Sequence, residues 1–411
     1  EEASGTKYVP RKLMDFWEKR DPVTNYEAYL LKEGVIDQEW IDAVRKEISQ
    51  AIEEGLQLAY AEEVPVANRE RELNDVYKPF ALSGSAPSGK TAQMRFVDAI
   101  SQGLRQSMER YDNLVLMGQD IAEYGGVFKV TEGFLKDFGE NRVRNTPLCE
   151  SAIIGIGLGL SIKGYKSMIE MQFADFVSCG FNQIVNNLAK IHYRWGQHAD
   201  VVIRMPTGAG VGAGPFHSQS NEAWFFHTPG LKIAYPSNPA DAKGLLTAAI
   251  EDPNPVLFFE HKFLYRSLSG EVSQEYYSQP FGEAAIACNG DKLTIVTYGL
   301  GVHWALDAAG EYSANTIEVI DLRTLVPWDR ELIRRSVEKT GRLLVVHEDS
   351  LTGGIGAEIA AWASEELFTL LDAPVTRCGS LDTPVPFSGN LEAEFLASSV
   401  LKQKIREIIE F

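Results

Sequence analysis

A strand gives way to a helix within one short run of the sequence: Asn145-Thr146-Pro147-Leu148-Cys149-Glu150-Ser151-Ala152-Ile153-Ile154-Gly155-Ile156-Gly157-Leu158-Gly159. Pro147 ends the strand, and a helix with almost no polar residue begins at Glu150. By itself, the carboxylate of Glu150 is typical of an acid that complements the helix dipole. The glycines lie inside the helix and lack the G-x-G-x-x-G spacing of a dinucleotide loop, so they predict close helix packing.

Short apolar strands alternate with helical patterns on both sides of this run. This alternation predicts βαβ units and parallel sheets with helices on both faces. The pattern lapses into Ser, Gly, Gln and Tyr near 267–280, which indicates two successive α/β domains, over 93–275 and 276–411. The predicted strands are 114–117, 167–170, 201–205, 232–235, 256–260, 293–298, 317–320, 343–347 and 375–378.

The N-terminal part of the chain has a different pattern. Apolar residues recur at helical spacing between Asp37 and Glu63, with charges between them, which predicts a docking helix. A Ser/Gly/Pro-rich stretch without periodicity indicates a flexible linker over 81–92. We therefore expect a helical arm over 1–80. Since the chain opens with Glu1 rather than Met, we also expect that it begins partway through a longer polypeptide.

Composition excludes several classes of function. The 411 residues suffice for two or three domains, and 45% hydrophobic with 23% charged residues is typical of a globular protein. A net charge of -18, without any basic and aromatic cluster, argues against nucleic acid as a partner. The longest apolar run, 153–162, is broken by glycine and spans about half of what a membrane helix needs. The four cysteines are far apart, so we expect a reducing compartment, the cytoplasm.

A second segment changes the interpretation of Glu150. The run 171–176, Met-Gln-Phe-Ala-Asp-Phe, follows a predicted strand at the carboxyl edge, where open α/β sheets bind ligands. With the run 118–128, Gly-Gln-Asp-Ile-Ala-Glu-Tyr-Gly-Gly-Val-Phe, and the Thr-Pro-Leu-Cys-Glu segment, it resembles the β subunit of the 2-oxo acid dehydrogenases. The resemblance runs from about Met94 to the C-terminus. It implies a thiamine diphosphate-binding α/β fold followed by a C-terminal domain of the transketolase type.

The resemblance implies roles for particular residues. Glu150 matches the acid that binds the pyrimidine nitrogen of thiamine diphosphate and favours its imino form, which can take the thiazolium proton. A buried carboxyl suits that role. Leu148, Gln172 and Phe176 match positions that pack around the cofactor, with Phe176 stacking on the pyrimidine.

The glycine-rich loop 206–220 carries the second candidate catalytic residue. Alone, the loop suggests a phosphate cradle, but it lacks the Lys-Ser/Thr ending of a P-loop. Its His217-Ser-Gln-Ser run matches the active-site histidine segment of the family. The resemblance therefore implies that His217 transfers protons and positions groups near the reacting carbon and the lipoyl arm.

A turn at 251–255, Glu-Asp-Pro-Asn-Pro, would ordinarily only end a helix. In relatives the matching turn helps to hold a structural potassium ion, largely through main-chain carbonyls, and hard oxygen ligands suit such a cation. Asp252 and Asn254 match the pattern, and Ala249 would offer its carbonyl. The resemblance adds three positions at the start of a strand: Ala199, Val201 and Val202.

The arm resembles the other subunit of the same enzymes. The run 17–22, Trp-Glu-Lys-Arg-Asp-Pro, followed by Tyr-Leu-Leu at 29–31, is similar to the end of the α subunit, so we expect an α–β fusion. The α part normally supplies a Gly-Asp-Gly segment that anchors magnesium and the diphosphate. No Gly-Asp-Gly occurs in the sequence. Magnesium and cofactor binding would then require the α part, and cleavage in an α-part loop would account for Glu1.

The resemblance implies the decarboxylating component of a 2-oxo acid dehydrogenase, which acylates a lipoyl group. The Pro-Leu-Cys-Glu, His-Ser-Gln-Ser and Leu-Thr-Gly-Gly segments favour the branched-chain type. Pyruvate or acetoin dehydrogenase is the enzymatic alternative, and a non-catalytic assembly subunit is the other. Expected partners are the α part, a second β part and a lipoyl-bearing acyltransferase core. The runs 321–329 and 347–358 also follow the family, but we expect no catalytic residue in that last domain.

Overall fold

The computed structural model describes residues 8–82 and 86–411. Glu1, on which the expectation of cleavage depends, lies outside the described residues, as do linker residues 83–85. The chain divides into two compact units, Glu1–Arg69 and Glu70–Phe411. We expected the arm to end at residue 80. Residues after Arg69 belong to the second unit, in which the Tyr77 hydroxyl donates to the carbonyl of Leu231 at 2.9 Å.

Three helices form the first unit. The side chain of Asp37 accepts the main-chain N–H of Trp40 at 2.7 Å, which caps the predicted docking helix. Large apolar side chains of this helix, including Ile48 and Ile52, are exposed. The helices are α1 (Arg11–Glu18), α2 (Pro22–Lys32) and α3 (Gln38–Ala61), followed by α4 (Arg69–Asn74) at the boundary between the units.

The pyrimidine-type half of the second unit contains most of one large sheet. Its elements are β1 (Thr91–Arg95), α5 (Phe96–Arg110), β2 (Leu114–Gly118), α6 (Phe134–Phe138), β3 (Val143–Asn145), α7 (Glu150–Ile162), β4 (Lys166–Glu170), α8 (Ile191–Trp195), β5 (Val201–Thr207), α9 (Ala223–Phe226), β6 (Lys232–Ala234), α10 (Pro239–Glu251), β7 (Val256–His261), α11 (Leu264–Ser267) and β8 (Ser269–Ser273).

A second α/β half follows. Its elements are β9 (Ala285–Cys288), β10 (Gly290–Thr297), α12 (Leu300–Ala309), β11 (Asn315–Asp321), β12 (Thr324–Val326), α13 (Arg330–Thr340), β13 (Leu343–Ser350), α14 (Ile355–Glu366), β14 (Thr376–Ser380), α15 (Gly389–Phe395) and α16 (Ser398–Ile409).

Both large sheets are mostly parallel. Within the described residues the first has the strand order β12-β6-β7-β5-β4-β2-β3, and the second has the order β14-β13-β10-β11-β9. Each has one antiparallel edge strand, β12 against β6 and β9 against β11. The nine predicted strands all occur, with ends that differ by a few residues. This confirms the prediction of two α/β domains after a helical arm.

The first sheet is covered on both faces, as parallel sheets require. Alternate residues of β2 separate into two apolar clusters: Leu114 and Leu116 pack with α5 and α10, while Val115 and Met117 pack with α7. Helix α7 lies so close to β4 that a Cβ at Gly157 would be 2.8 Å from Ile169 Cδ1. This confirms close helix packing at that glycine.

Besides β9, three short strands fall where the sequence predicts none. Thr91 pairs with Ser273, so the end of the predicted linker forms strand β1 and the predicted boundary region supplies β8. Strand β12 of the second half joins the first sheet through Thr324, opposite Ala234. All three are short, and β1 and β8 are largely polar, so they carry no apolar run that indicates a strand. Among residues 8–82 and 86–411, no helix combines the length and apolarity needed to cross a membrane.

Candidate active site

The carboxyl edge of the first sheet brings the main candidate residues together. Strands β2, β3 and β4 are parallel neighbours, so the loops that follow them meet at one edge. There Gln119 Nε2 donates to Glu150 Oε1 at 3.0 Å, and Gln172 Nε2 donates to Asp120 Oδ2 at 3.3 Å. The structure thus places Glu150 and Gln172 on either side of the pair Gln119–Asp120, whose contacts the sequence analysis did not anticipate.

An unpartnered polar atom marks this group as a ligand site. Gln119 is 6% exposed, and its Oε1 has no hydrogen-bond partner among the described residues. Buried polar atoms are nearly always paired, so this oxygen requires a ligand or water. Glu150 itself is half-buried, less than we expected. A carboxylate beside a free amide oxygen suits a flat ring that carries both donors and acceptors, as the aminopyrimidine of thiamine diphosphate does.

Leu148 is the most exposed of the expected cofactor-binding residues. Its side chain is 79% exposed, so the chain alone leaves it uncovered. Its place beside the cofactor stays a prediction.

An aromatic cluster adjoins the same edge. The His217 ring lies 4.8 Å from Phe173 and 5.6 Å from Phe176, centroid to centroid and edge to face. Phe173 also contacts Phe176 at 5.7 Å. The structure thus unites His217 and Phe176, two of the expected site residues, around Phe173. In the sequence, Phe173 stands in the Gln-Phe-Ala-Asp-Phe run. We assigned no separate role to it.

A fully buried charge network lies in the strands beneath this edge. Arg204 of β5 pairs with Glu170 of β4 at 2.5 Å and, through Nη2, with Glu260 of β7 at 2.7 Å. Burial raises the pKa of Glu170, although Arg204 opposes the shift. Tyr265 donates to Glu260 at 2.5 Å. Because removing one partner would leave an unpaired buried charge, these contacts fix the carboxyl ends of three strands. In the sequence, this network is indicated by a charged residue inside each of the three apolar strands that it joins.

The glycine-rich loop does not form an open phosphate cradle. The N–H of Ala209 donates to Glu348 at 2.6 Å, and the N–H of Gly210 donates to Glu392 at 2.9 Å. Both carboxylates come from the last domain, where we expected no residue to act on the site. These contacts agree with the rejection of a P-loop, because carboxylates of the chain itself accept the hydrogen bonds that the N–H groups of the loop could otherwise give to a phosphate.

The expected potassium positions lie at the opposite, amino end of the strands. Ala199 donates its N–H to the carbonyl of Pro253 at 3.0 Å, which joins the start of β5 to the turn before β7. Asp252 Oδ1 accepts two N–H groups of Asn254, and Lys232 pairs with the same carboxylate. These side chains are therefore engaged by other groups of the chain, and potassium at this turn stays a prediction. Within the described residues, no cluster of three or more His, Cys, Asp or Glu side chains is arranged to hold a metal.

Asn254 has a further role that the sequence did not indicate. Its Oδ1 accepts the N–H of Lys78 at 2.8 Å, and its Nδ2 donates to the carbonyl of Lys78 at 3.0 Å. The amide thus pairs with both main-chain groups of one residue, as a neighbouring strand would. This fixes the segment that leads into the linker on the turn before β7.

Family models match three regions of the chain. Residues 92–267 match the transketolase pyrimidine-binding domain, and residues 282–400 match the transketolase C-terminal domain. Residues 2–68 match the dehydrogenase E1 component. The third match covers nearly the same residues as the first compact unit.

Relatives named as beta subunits match the chain along most of their own length. The 2-oxoisovalerate dehydrogenase subunit beta of Bacillus subtilis is 45% identical over 326 residues, which is 77% of this chain and 99% of that protein. The mitochondrial 2-oxoisovalerate dehydrogenase subunit beta 2 of Arabidopsis thaliana is 45% identical over 306 residues, which is 73% of this chain and 84% of that protein. The pyruvate dehydrogenase E1 component subunit beta of Bacillus subtilis is 41% identical over 325 residues, 78% and 100%.

A solved split-gene transketolase, an inactive beta4 tetramer, shares the fold with a TM-score of 0.63 at 22% identity, over 77% of this chain and 98% of that one. That likeness concerns the fold alone. The identities to the beta subunits, over nearly their full lengths, carry the assignment of family. The chain therefore belongs to the E1 β subunits of the thiamine diphosphate-dependent 2-oxo acid dehydrogenases.

Proposed function

We propose that the chain forms the pyrimidine-binding side of the active site in the decarboxylating component of a branched-chain 2-oxo acid dehydrogenase. Together with an α part it would decarboxylate the oxo acid oxidatively and acylate a lipoyl group. The observation that carries the proposal is the meeting of the Gln119–Glu150 pair with the His217–Phe173–Phe176 cluster at one sheet edge.

Each of these side chains has a role that follows from its surroundings. Glu150 would hold a proton at the pyrimidine nitrogen, and Gln119 orients its carboxylate through the 3.0 Å bond. Phe176 offers an aromatic face to the ring, and Phe173 supports both Phe176 and His217. His217 would move protons at the reacting end. When bound, thiamine diphosphate supplies the carbon nucleophile and the electron sink for loss of carbon dioxide.

The branched-chain substrate is supported by the relatives. The two named for 2-oxoisovalerate are 45% identical to the chain, whereas the pyruvate dehydrogenase subunit of Bacillus subtilis is 41% identical. Together with the Pro-Leu-Cys-Glu and His-Ser-Gln-Ser segments, this favours branched-chain 2-oxo acids over pyruvate.

The partners follow from what the chain supplies. The E1-component match at residues 2–68 supports a fusion in which an α part precedes the β body. That α part would bring magnesium and the diphosphate site, because the sequence has no Gly-Asp-Gly segment. A second β part and a lipoyl-bearing acyltransferase core complete the proposed assembly. Potassium at the 252–254 turn would bind through main-chain carbonyls. A cytoplasmic location stays a prediction.

The substrate is tested by steady-state turnover in the presence of an α part, thiamine diphosphate and a lipoyl acceptor. We expect a higher kcat/KM for branched-chain 2-oxo acids than for pyruvate. A higher value for pyruvate would contradict the branched-chain assignment. Absence of turnover on any 2-oxo acid, with the chain folded and the α part bound, would favour an assembly subunit instead.

A further inference from the structure

The loop that carries His217 has a sequence that leaves its backbone flexible. It leaves β5 at Thr207, and four of its next residues are glycines with φ between 68° and 94°. Glycine is the most flexible residue of an unfolded chain, so a single loop conformation needs contacts from outside the loop. The four are Gly208, Gly210, Gly212 and Gly214.

Carboxylates of the last domain supply several of the outside contacts. Glu392 of α15 is 5% exposed, and its carboxylate accepts the N–H of Gly210 at 2.9 Å and that of Gly212 at 3.1 Å. Alternating N–H groups of this kind form a concave anion site, and the chain's own carboxylate fills it. Glu392 therefore does for this loop what a bound anion does for a phosphate-binding loop.

Glu348, at the end of β13, holds both sides of the same loop. Its Oε1 accepts the N–H of Ala209 at 2.6 Å and the hydroxyl of Ser220 at 3.2 Å, one before and one after His217. Its Oε2 lies 2.6 Å from His261 Nε2. The carboxylate thus spans the two ends of the loop from a buried position.

Two further contacts leave the loop little freedom. Lys262, directly after β7, donates from Nζ to the carbonyl of Gly208 at 2.7 Å. At Gly214 a Cβ would lie 2.4 Å from the Phe387 ring, so the loop rests directly on that aromatic side chain. From the first domain the loop is held by Lys262 and by Asp175, which accepts from Gln219, while Phe173 and Phe176 pack on the His217 ring. Phe387, Glu348 and Glu392 come from the second domain.

We propose that Glu392 and Glu348 are positioning residues for the active site, through which the C-terminal domain sets the place of the His217 ring. The inference rests on the proposed function and extends it, because the domain in which we expected no catalytic residue then helps to determine the geometry at the reacting end. Glu150 is oriented by Gln119, on a loop of the first domain, whereas the His217 loop is held by both domains.

The test compares Glu392→Gln with Glu394→Gln, an exposed glutamate on the same helix. The amide keeps the size of the side chain but removes the charge and turns a donor toward the loop N–H groups. Amide hydrogen exchange is followed by mass spectrometry on the chain alone, in peptides that cover 207–220. We expect exchange there to rise at least about tenfold in Glu392→Gln, with little change in Glu394→Gln or in the rest of the C-terminal domain.

Activity with an α part gives the second measurement. A displacement of about 1 Å can lower a rate about 100-fold, so kcat with a lipoyl acceptor should fall by about 10- to 100-fold in Glu392→Gln. The concentration of thiamine diphosphate that gives half-maximal activity should stay unchanged. Glu392→Asp, which retains the charge, should recover part of the rate.

The outcomes separate the two proposals. If the unaltered protein lacks turnover, the proposed function fails, while hydrogen exchange still tests how the loop is held. The positioning role is overturned if exchange over 207–220 and kcat both match those of Glu394→Gln. It is equally overturned if exchange rises across all of 276–411, since Glu392 would then only stabilise its own domain.

Discussion

Gln119 donates to Glu150 across the carboxyl ends of two strands, and the other atom of the same amide, Oε1, is buried with no partner in the part of the chain that the structure describes. The amide thus orients the carboxylate and presents an acceptor beside it. This bond fixes the position of the Glu150 side chain relative to the end of β2. A ligand that bonds to both side chains would be held at two points.

The Gln119 contact predicts a defect in cofactor use. Gln119→Ala removes the donor to Glu150 and the free acceptor, so we expect the activity with an α part to fall by about 10-fold or more, roughly the loss of 1.4 kcal/mol. More thiamine diphosphate should be needed for half-maximal rate. Gln403→Ala, at an exposed position of α16, is the control. Equal cofactor dependence in the two variants would count against the role of Gln119.

The packing of α7 predicts opposite effects at two glycines of one helix. Gly157→Ala would put Cβ 2.8 Å from Ile169 and 3.0 Å from Ser167, so we expect a loss of about 1–3 kcal/mol in the free energy of unfolding. At Gly159 no described atom lies within 4 Å of the added Cβ. Gly159→Ala should therefore be neutral or stabilising by up to about 1 kcal/mol, through helix propensity. Denaturant unfolding of the chain alone measures both, and similar losses would contradict this account of the packing.

A buried carboxyl pair between the two domains predicts a dependence of stability on pH. Burial, and next the charge of Asp349, raise the pKa of Glu222 from 4.5 to about 8. Burial likewise raises the pKa of Asp349 to about 6, with main-chain N–H groups of Ser350 and Ala223 opposing and the charge of Glu348 adding to the shift. Tyr298 donates to Glu222 at 2.6 Å.

The sign of the effect follows from these directions. Between pH 4.5 and about 8 the folded chain keeps a proton on Glu222 that the unfolded chain has released, so the stabilisation present below pH 4.5 is lost as pH rises to about 8. Glu222→Gln should remove this decline, on the order of 1–3 kcal/mol between pH 5 and 8. Thermal unfolding across that range is the measurement. An unchanged slope would show that Glu222 does not hold the proton.

The amide of Asn254 predicts how the segment before the linker is held. Asn254→Ala removes both hydrogen bonds to Lys78, at 2.8 and 3.0 Å. The free energy needed to open residues 75–80 should therefore fall by about 1–3 kcal/mol. Hydrogen exchange at Lys78 should rise at least about tenfold. Asn289→Ala, at an exposed position, serves as control. Unaltered exchange at Lys78 would mean that other contacts hold this segment.

The sequence predicted the parts of the fold that follow from apolar runs. Strands such as β5 are buried on both faces, so they appear as continuous apolar segments, and all nine predicted strands exist. Strand β12 has three residues and pairs with β6 in the other domain, a contact that no local pattern encodes.

The site residues that lie in short, recognisable runs of the sequence could be predicted. Glu150, Gln172, Phe176 and His217 were identified by resemblance, and the structure brings them to one edge. The contacts that hold that edge in place were not predicted, because they join residues that are far apart in the sequence. Glu392 lies about 180 residues from the loop that it holds, so only the folded chain shows the contact.

Glu150 is proposed to be the acid that activates the cofactor, and turnover of the Glu150→Gln variant is the decisive measurement of that role. With an α part, thiamine diphosphate and a lipoyl acceptor, we expect kcat to fall at least about 100-fold, while Glu140→Gln, at an exposed position of the same domain, stays at the unaltered rate. Hydrogen exchange should confirm that both variants are folded. A Glu150→Gln variant with the full rate would contradict the account.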